Sequence, residues 1–306
     1  MMDLDRRSFV KGAALTAASL SLGACQNTQM DRIIDTHTHF YDPFRPEGVP
    51  WPRKGTSLYR KVMPSDFLKL ASPHGVTGTV VVEASAWLED NQWILDLAKE
   101  NESIVGFVGN VDPLIDDWEK HIRRFAKDKI FRGIRLKKSI DNLNDQKVMD
   151  RLKLMKDLDL ALDLNGEVKA LKAAAHISKS IPDYRIVVEH LPGGNSRDQQ
   201  PEYLEALKTV KDLPNVYVKV SHVLGKIKGK TINDPAKYVE AFDSLWETFG
   251  EDRVIYGSNW PVSDIFNGTY GEVFKLVDNY FSKKGLEARA KYFGGNAKKA
   301  YKWIDR

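Results

Sequence analysis

Eight short apolar runs, most of them rich in Val and Ile, recur along this chain with helix-patterned stretches between them. They cover residues 33–40, 77–84, 104–111, 131–136, 160–164, 185–191, 216–221 and 254–258. Continuous apolarity over so few residues suits strands buried on both faces, as in a parallel sheet covered by helices. Helical periodicity fills the intervals at 91–100, 116–126, 148–158, 168–177, 203–210 and 238–249, and a last pattern at 287–303 stands ready to close the set. Strand followed by helix, repeated about eight times, predicts an α/β protein of the (β/α)8 TIM-barrel class. The rival is an open doubly wound sheet, and it is weakened because no Gly-x-Gly-x-x-Gly follows any of the runs.

The first 24 residues stand apart. Asp5-Arg6-Arg7-Ser8-Phe9-Val10-Lys11 precedes a short Ala- and Leu-rich stretch, a basic-then-apolar order expected of an export signal and resembling the twin-arginine type. Leu22-Gly23-Ala24-Cys25 resembles a lipoprotein cleavage motif, so Cys25 is expected to become a lipid-anchored N-terminus. Residues 25–32 then form a tether and 33–306 the folded domain. The expected location is beyond the bacterial inner membrane, periplasmic or lipid-anchored. A single cysteine in 306 residues rules out an intrachain disulfide and a cysteine metal cage. Past Cys25 no apolar run nears the ~20 residues a spanning helix needs. A net charge of +4 gives no footing for nucleic acid. The expected partner is a small-molecule substrate, and the oligomeric state is left open.

Barrel sites lie at the C-terminal ends of strands. The first run carries Asp35, His37 and His39, which strict alternation turns to one side, into the barrel. Two imidazoles one residue apart can hold one metal ion, with zinc or manganese suiting such donors. His190 ends the sixth run as a third ligand or a general acid/base. Arg135, ending the fourth, either binds a substrate carboxylate or carbonyl oxygen or makes a structural ion pair. Glu83, Asn110, Asp163 and Asn165 fall near strand ends and are candidate pocket residues. Gly257 in Tyr256-Gly257-Ser258-Asn259-Trp260-Pro261 permits a close approach of backbone or ligand, and Trp260 is a candidate substrate contact. His222 is a weaker candidate. Lys226, Lys228 and Lys230 form a basic loop after it. His121 and His176 fall on outer helices, and His74 at the opposite end of the barrel.

These motifs, in their order, resemble those of the amidohydrolase-related family. They are Ile34-Asp35-Thr36-His37-Thr38-His39, Arg132-Gly133-Ile134-Arg135, Val188-Glu189-His190-Leu191, residues 216–221 and residues 256–262. Residues 81–112 are also similar to its sugar-lactone branch. The resemblance implies a hydrolase in which water attacks a lactone or similar carbonyl. His37 and His39 would hold a divalent metal or the carbonyl oxygen, His190 would assist, and Arg135 would orient substrate. The family usually carries Asp, as the base that activates water, where Asn259 stands here. An amide cannot serve as that base near neutral pH, which leaves Asp264, Asp163 or His190 as substitutes. A metal-dependent decarboxylase on the same scaffold, and a non-catalytic sugar-binding lipoprotein, are the alternatives.

Overall fold

The computed structural model describes residues 32–165, 168–190, 201–227, 230–232, 234–266 and 268–306. The expected signal, Cys25 and nearly all of the tether therefore lie outside the described residues, as does Lys228. Eight strands form one parallel sheet in sequential order: β1 Ile33–Thr38, β2 Val76–Val82, β3 Ile104–Gly109, β4 Phe131–Leu136, β5 Ala161–Leu164, β6 Ile186–Val188, β7 Val216–Val220 and β8 Val254–Tyr256. The seam between β8 and β1 is closed just past the end of β8. The His39 amide donates to the Trp260 carbonyl at 3.0 Å and the Asn259 amide to the His37 carbonyl at 2.9 Å. This is the (β/α)8 barrel, with each run placed within a few residues of its expected position.

The helices are α1 Pro64–Ala71, α2 Asp90–Lys99, α3 Trp118–Phe125, α4 Gln146–Asp157, α5 Val168–Ser180, α6 Pro201–Val210, α7 Val239–Phe249, α8 Tyr270–Ser282, α9 Leu286–Ala290 and α10 Asn296–Tyr301. The apolar spacing of α3 explains its packing: Trp118, Ile122 and Phe125 are its buried residues, while Arg123 and Arg124 face solvent. α1 and α8 were not among the expected helices, although the apolar residues of α8 follow helical spacing. The start of α8 is also written in the sequence as a capping box, in which Thr269 and Glu272 each bond the other's backbone. The expected closing helix is broken into α9, a single π-helical turn over Lys291–Gly295, and α10. That break brings Ala297, Ala300 and Tyr301 of α10 against Val80, Ala161, Val187 and Ile255 of the strands, in one buried cluster. Among the described residues no helix is long and apolar enough to cross a membrane.

Candidate active site

Past the strand ends lies a cavity of about 450 Å³, lined by His39, Trp51, Glu83, Arg135, Lys137, His190, His222 and Asn259 among others. Its polar residues come from the ends of β1, β2, β4, β6, β7 and β8, so no single loop builds it.

The first strand does not alternate cleanly. Its register against β2 shifts between Asp35 and Thr38, and this separates Asp35 from the two histidines. Asp35 Oδ1 accepts the His37 amide at 3.0 Å and the Ser258 amide at 2.9 Å, and Oδ2 accepts the Tyr270 hydroxyl at 3.0 Å. Asp35 thus clamps β1 to the end of β8 and to α8, and does not face the cavity as alternation predicted. Burial pushes its carboxyl up to about 6, against the pull of those hydrogen bonds.

His37 lies behind His39 and His190, which line the cavity. It is fully buried, and neither ring nitrogen has a hydrogen-bond partner. Glu189 is buried beside it, with Oε1 3.6 Å from His37 Nδ1 and likewise without a hydrogen bond. Unpartnered buried polar atoms are costly, by roughly 1–3 kcal/mol each, and three at one point mark a place where a ligand belongs. His37, Glu189 and His190 each offer one donor atom, all within 4.8 Å of one another. Two imidazoles and a carboxylate fit a divalent ion such as zinc or manganese, so the site can take such a metal. The cluster that could hold a metal thus brings Glu189 together with His37 and His190, beside the His39 that the sequence had put among the ligands. The His39 ring is 5.0 Å from that of His37. Its Nδ1 lies 2.9 Å from the Val82 carbonyl. A carbonyl only accepts, so Nδ1 carries the proton and Nε2 the lone pair. The His190 ring is fixed in turn by Ser221 Oγ at 3.0 Å, as bonded outer partners fix ligating histidines.

Burial keeps these imidazoles neutral. It pulls His39 and His190 down to about 3, with the Arg135 charge adding to both, and it lowers His37 well below the usual value. Glu189 goes the other way. Burial alone would raise it, but Arg135 and Lys219 outweigh burial and hold the carboxyl below its usual range.

Charged groups alternate in sign from the mouth to the barrel floor. Lys137 Nζ lies 2.6 Å from Glu83, Glu83 is 2.8 Å from Arg135, and Arg135 is 3.3 Å from Glu189. Glu189 lies 3.8 Å from Lys219, and Lys219 is 2.8 Å from Asp163. The Tyr301 hydroxyl, arriving from α10, donates to Asp163 at 2.9 Å. Buried charges persist only when paired in this way. Arg135 is therefore both an ion-pair member and a cavity residue, which joins the two roles the sequence had left open.

Several expected residues fall elsewhere. Asp163 is fully buried beneath the cavity, bound to Lys219 and Tyr301, and does not line it. Asn165, past β5, donates its amide to the Leu136 carbonyl and is absent from the lining. Trp260 is packed between Phe40 and Phe67, and what it contributes is its backbone carbonyl at the seam. Asp264 pairs with Arg60 at 2.7 Å, away from the cavity. Among the alternatives to an Asp at position 259, only His190 faces the cavity. Asn110 is held through its backbone by Asn91. His74 stacks on Phe274, and His176 is exposed. Gly257 does what was expected of a glycine there: a Cβ would stand 2.8 Å from His37 Cβ.

Glu189 and Lys219 were not singled out from the sequence. The available signal was a charged residue within, or ending, an otherwise apolar strand, which in a barrel demands a partner.

The amidohydrolase family model matches residues 34–303. This chain belongs to the amidohydrolase family. It is a hydrolase of the lactonase-like branch. It is 32% identical over 286 residues to a protein of Burkholderia ambifaria named L-fucono-1,5-lactonase, covering 89% of this chain and 96% of that one. A Burkholderia multivorans protein of the same name is 24% identical over 294 residues, covering 88% and 95%. An amidohydrolase from Burkholderia multivorans, solved with bound zinc, superposes with a TM-score of 0.80 at 21% identity, covering 89% of this chain and all of that one. The last likeness speaks for the fold.

Proposed function

We propose that this amidohydrolase opens a sugar-acid lactone by attack of water on the ring carbonyl. The observation that carries the reading is the His37, Glu189 and His190 cluster, with both His37 nitrogens unpartnered directly behind the His39 and His190 side chains that line the cavity. Similarity to proteins named L-fucono-1,5-lactonase supports the substrate class. A divalent ion held by these three residues would polarise a carbonyl or acidify a water when bound. The chain's own groups supply the rest. His39 presents an Nε2 lone pair, which accepts a hydrogen bond from water or from a substrate hydroxyl. Arg135 commits three of its five N–H donors to Glu83 and Glu189 and is thereby held rigid at the cavity wall. The cavity lies within the roughly 300–1,000 Å³ usual for small-molecule sites and accommodates a single sugar ring.

The test is acid release from a panel of aldonolactones by protein expressed from Gln26, with and without chelator. Turnover abolished in His37→Ala and by chelator supports the reading; turnover indifferent to chelator keeps the lactonase and discards the metal. Absence of turnover on every lactone refutes it. The export reading is likewise our proposal: residues 1–24 direct the chain across the membrane, and Cys25 is acylated. In Cys25→Ser, incorporation of labelled fatty acid should vanish.

A further inference from the structure

Asn259 stands where the family's usual base is missing, and it is not idle. Its Nδ2 lies 2.7 Å from Nδ1 of His222, and both residues line the cavity. Asn259 has φ +60° and His222 φ +53°. Such angles are uncommon outside glycine and persist at sites when the surroundings enforce them. For Asn259 the enforcement is visible. Its amide is bound to the His37 carbonyl and its own carbonyl accepts the Ser263 amide at 3.0 Å. The side-chain amide is therefore aimed at His222 from the barrel seam itself. An amide NH2 only donates, so Nδ1 of His222 is the acceptor and the ring's proton sits on Nε2. A carboxylate at position 259 would impose the opposite tautomer. The His222 ring lies 5.6 Å from that of His190, beside the cluster.

We propose that His222 is a further catalytic residue, whose Nε2–H donates a hydrogen bond to an oxygen of the bound lactone. Asn259 is its positioning residue, fixing the ring and its tautomer. The substrate contact rests on the lactone-hydrolase reading; the tautomer does not.

Two measurements separate these. In protein labelled with 15N-histidine, with His222→Ala to assign the signals, long-range 1H–15N spectra should show Nδ1 unprotonated and Nε2 protonated. Asn259→Asp should move the proton to Nδ1. On a lactone that the wild type hydrolyses, His222→Ala should lower kcat about 100-fold, as loss of one donor to a reacting oxygen does, with partial rescue by added imidazole. Asn259→Ala should lower kcat about tenfold alone and add almost nothing in the His222→Ala background, the mark of residues acting as a unit. A protonated Nδ1 in the wild type, or losses that simply multiply, would overturn the pairing. Wild-type turnover with undiminished kcat in His222→Ala would overturn the substrate contact alone. No lactone turnover in the wild type, with the tautomer as expected, would overturn the lactone reading and the contact that rests on it.

Discussion

Glu189→Gln removes one negative charge at nearly constant shape. The carboxylate faces Arg135 at 3.3 Å, His37 at 3.6 Å and Lys219 at 3.8 Å, all of them in the buried interior. Removing one partner of a buried ion pair costs about 3–5 kcal/mol, because the other charge is left without compensation. Here each cation keeps a closer anion: Arg135 has Glu83 at 2.8 Å and Lys219 has Asp163 at 2.8 Å. The expected loss is therefore at the low end, about 3 kcal/mol. In a domain of this size that lowers Tm by roughly 6–12 °C. The same variant loses a donor for the metal, so zinc affinity should fall at least tenfold. Thermal unfolding of the metal-free protein, and competition for zinc against a chromophoric chelator, read the two effects separately. Glu83→Gln is the comparison: it removes a partner of the same arginine but none of the cluster's three donors, so zinc affinity should hold. A Glu189→Gln protein that melts with the wild type and binds zinc equally would refute the account of Glu189 as both counter-ion and ligand.

Gly257→Ala should crowd His37, since the new Cβ would stand 2.8 Å from His37 Cβ and 3.2 Å from Ser221 Cβ. Overpacking of this kind costs about 1–3 kcal/mol; urea denaturation measures it, and zinc affinity should fall with it. Tyr301→Phe removes the hydroxyl bond to Asp163 at the barrel floor and should cost about 1–3 kcal/mol, the penalty for an unsatisfied buried acceptor, in the same assay. Asp159 is half-exposed and bonded to Arg185 and Lys302. Burial would raise its carboxyl, but these partners outweigh it and lower the pKa below 3.8. Its contribution, screened by solvent and under about 1 kcal/mol, is full above that value and lost as the pH falls through the folded pKa. The stability gap between wild type and Asp159→Asn should therefore close in acid, as pH-dependent unfolding will show.

The barrel was legible because its strands are apolar on both faces and its helices are periodic on one. What escaped was local or non-local in a specific way. α1 buries only Pro64, Phe67 and Ala71, a sparse apolar face, whereas α8 could have been read both from its cap at Thr269 and from the helical spacing of Tyr270, Val273, Phe274, Val277, Tyr280 and Phe281. The shift in register along β1 cannot be read from Asp35-Thr36-His37-Thr38, because it is set by hydrogen bonds to the distant residues Ser258 and Tyr270. His37, His190, Glu83 and Arg135 could be named from strand ends. Asp163 could be named as well, but not its depth, which depends on Lys219 and Tyr301 lying opposite. Glu189 looks like an ordinary polar strand end until the cations of β4 and β7 are seen around it.

The peptide units of His37, His39, Asn259 and Trp260 hold the seam shut, and the first three of these residues also supply side chains to the site. Local breathing is usually cheapest at a protein's working surface. Here the amides of His39 and Asn259 cannot exchange with solvent unless the first and last strands part. Their hydrogen exchange should accordingly be as slow as that of the central strands. Access for substrate then has to come from the loops over the cavity, with the reactive floor remaining as rigid as the core.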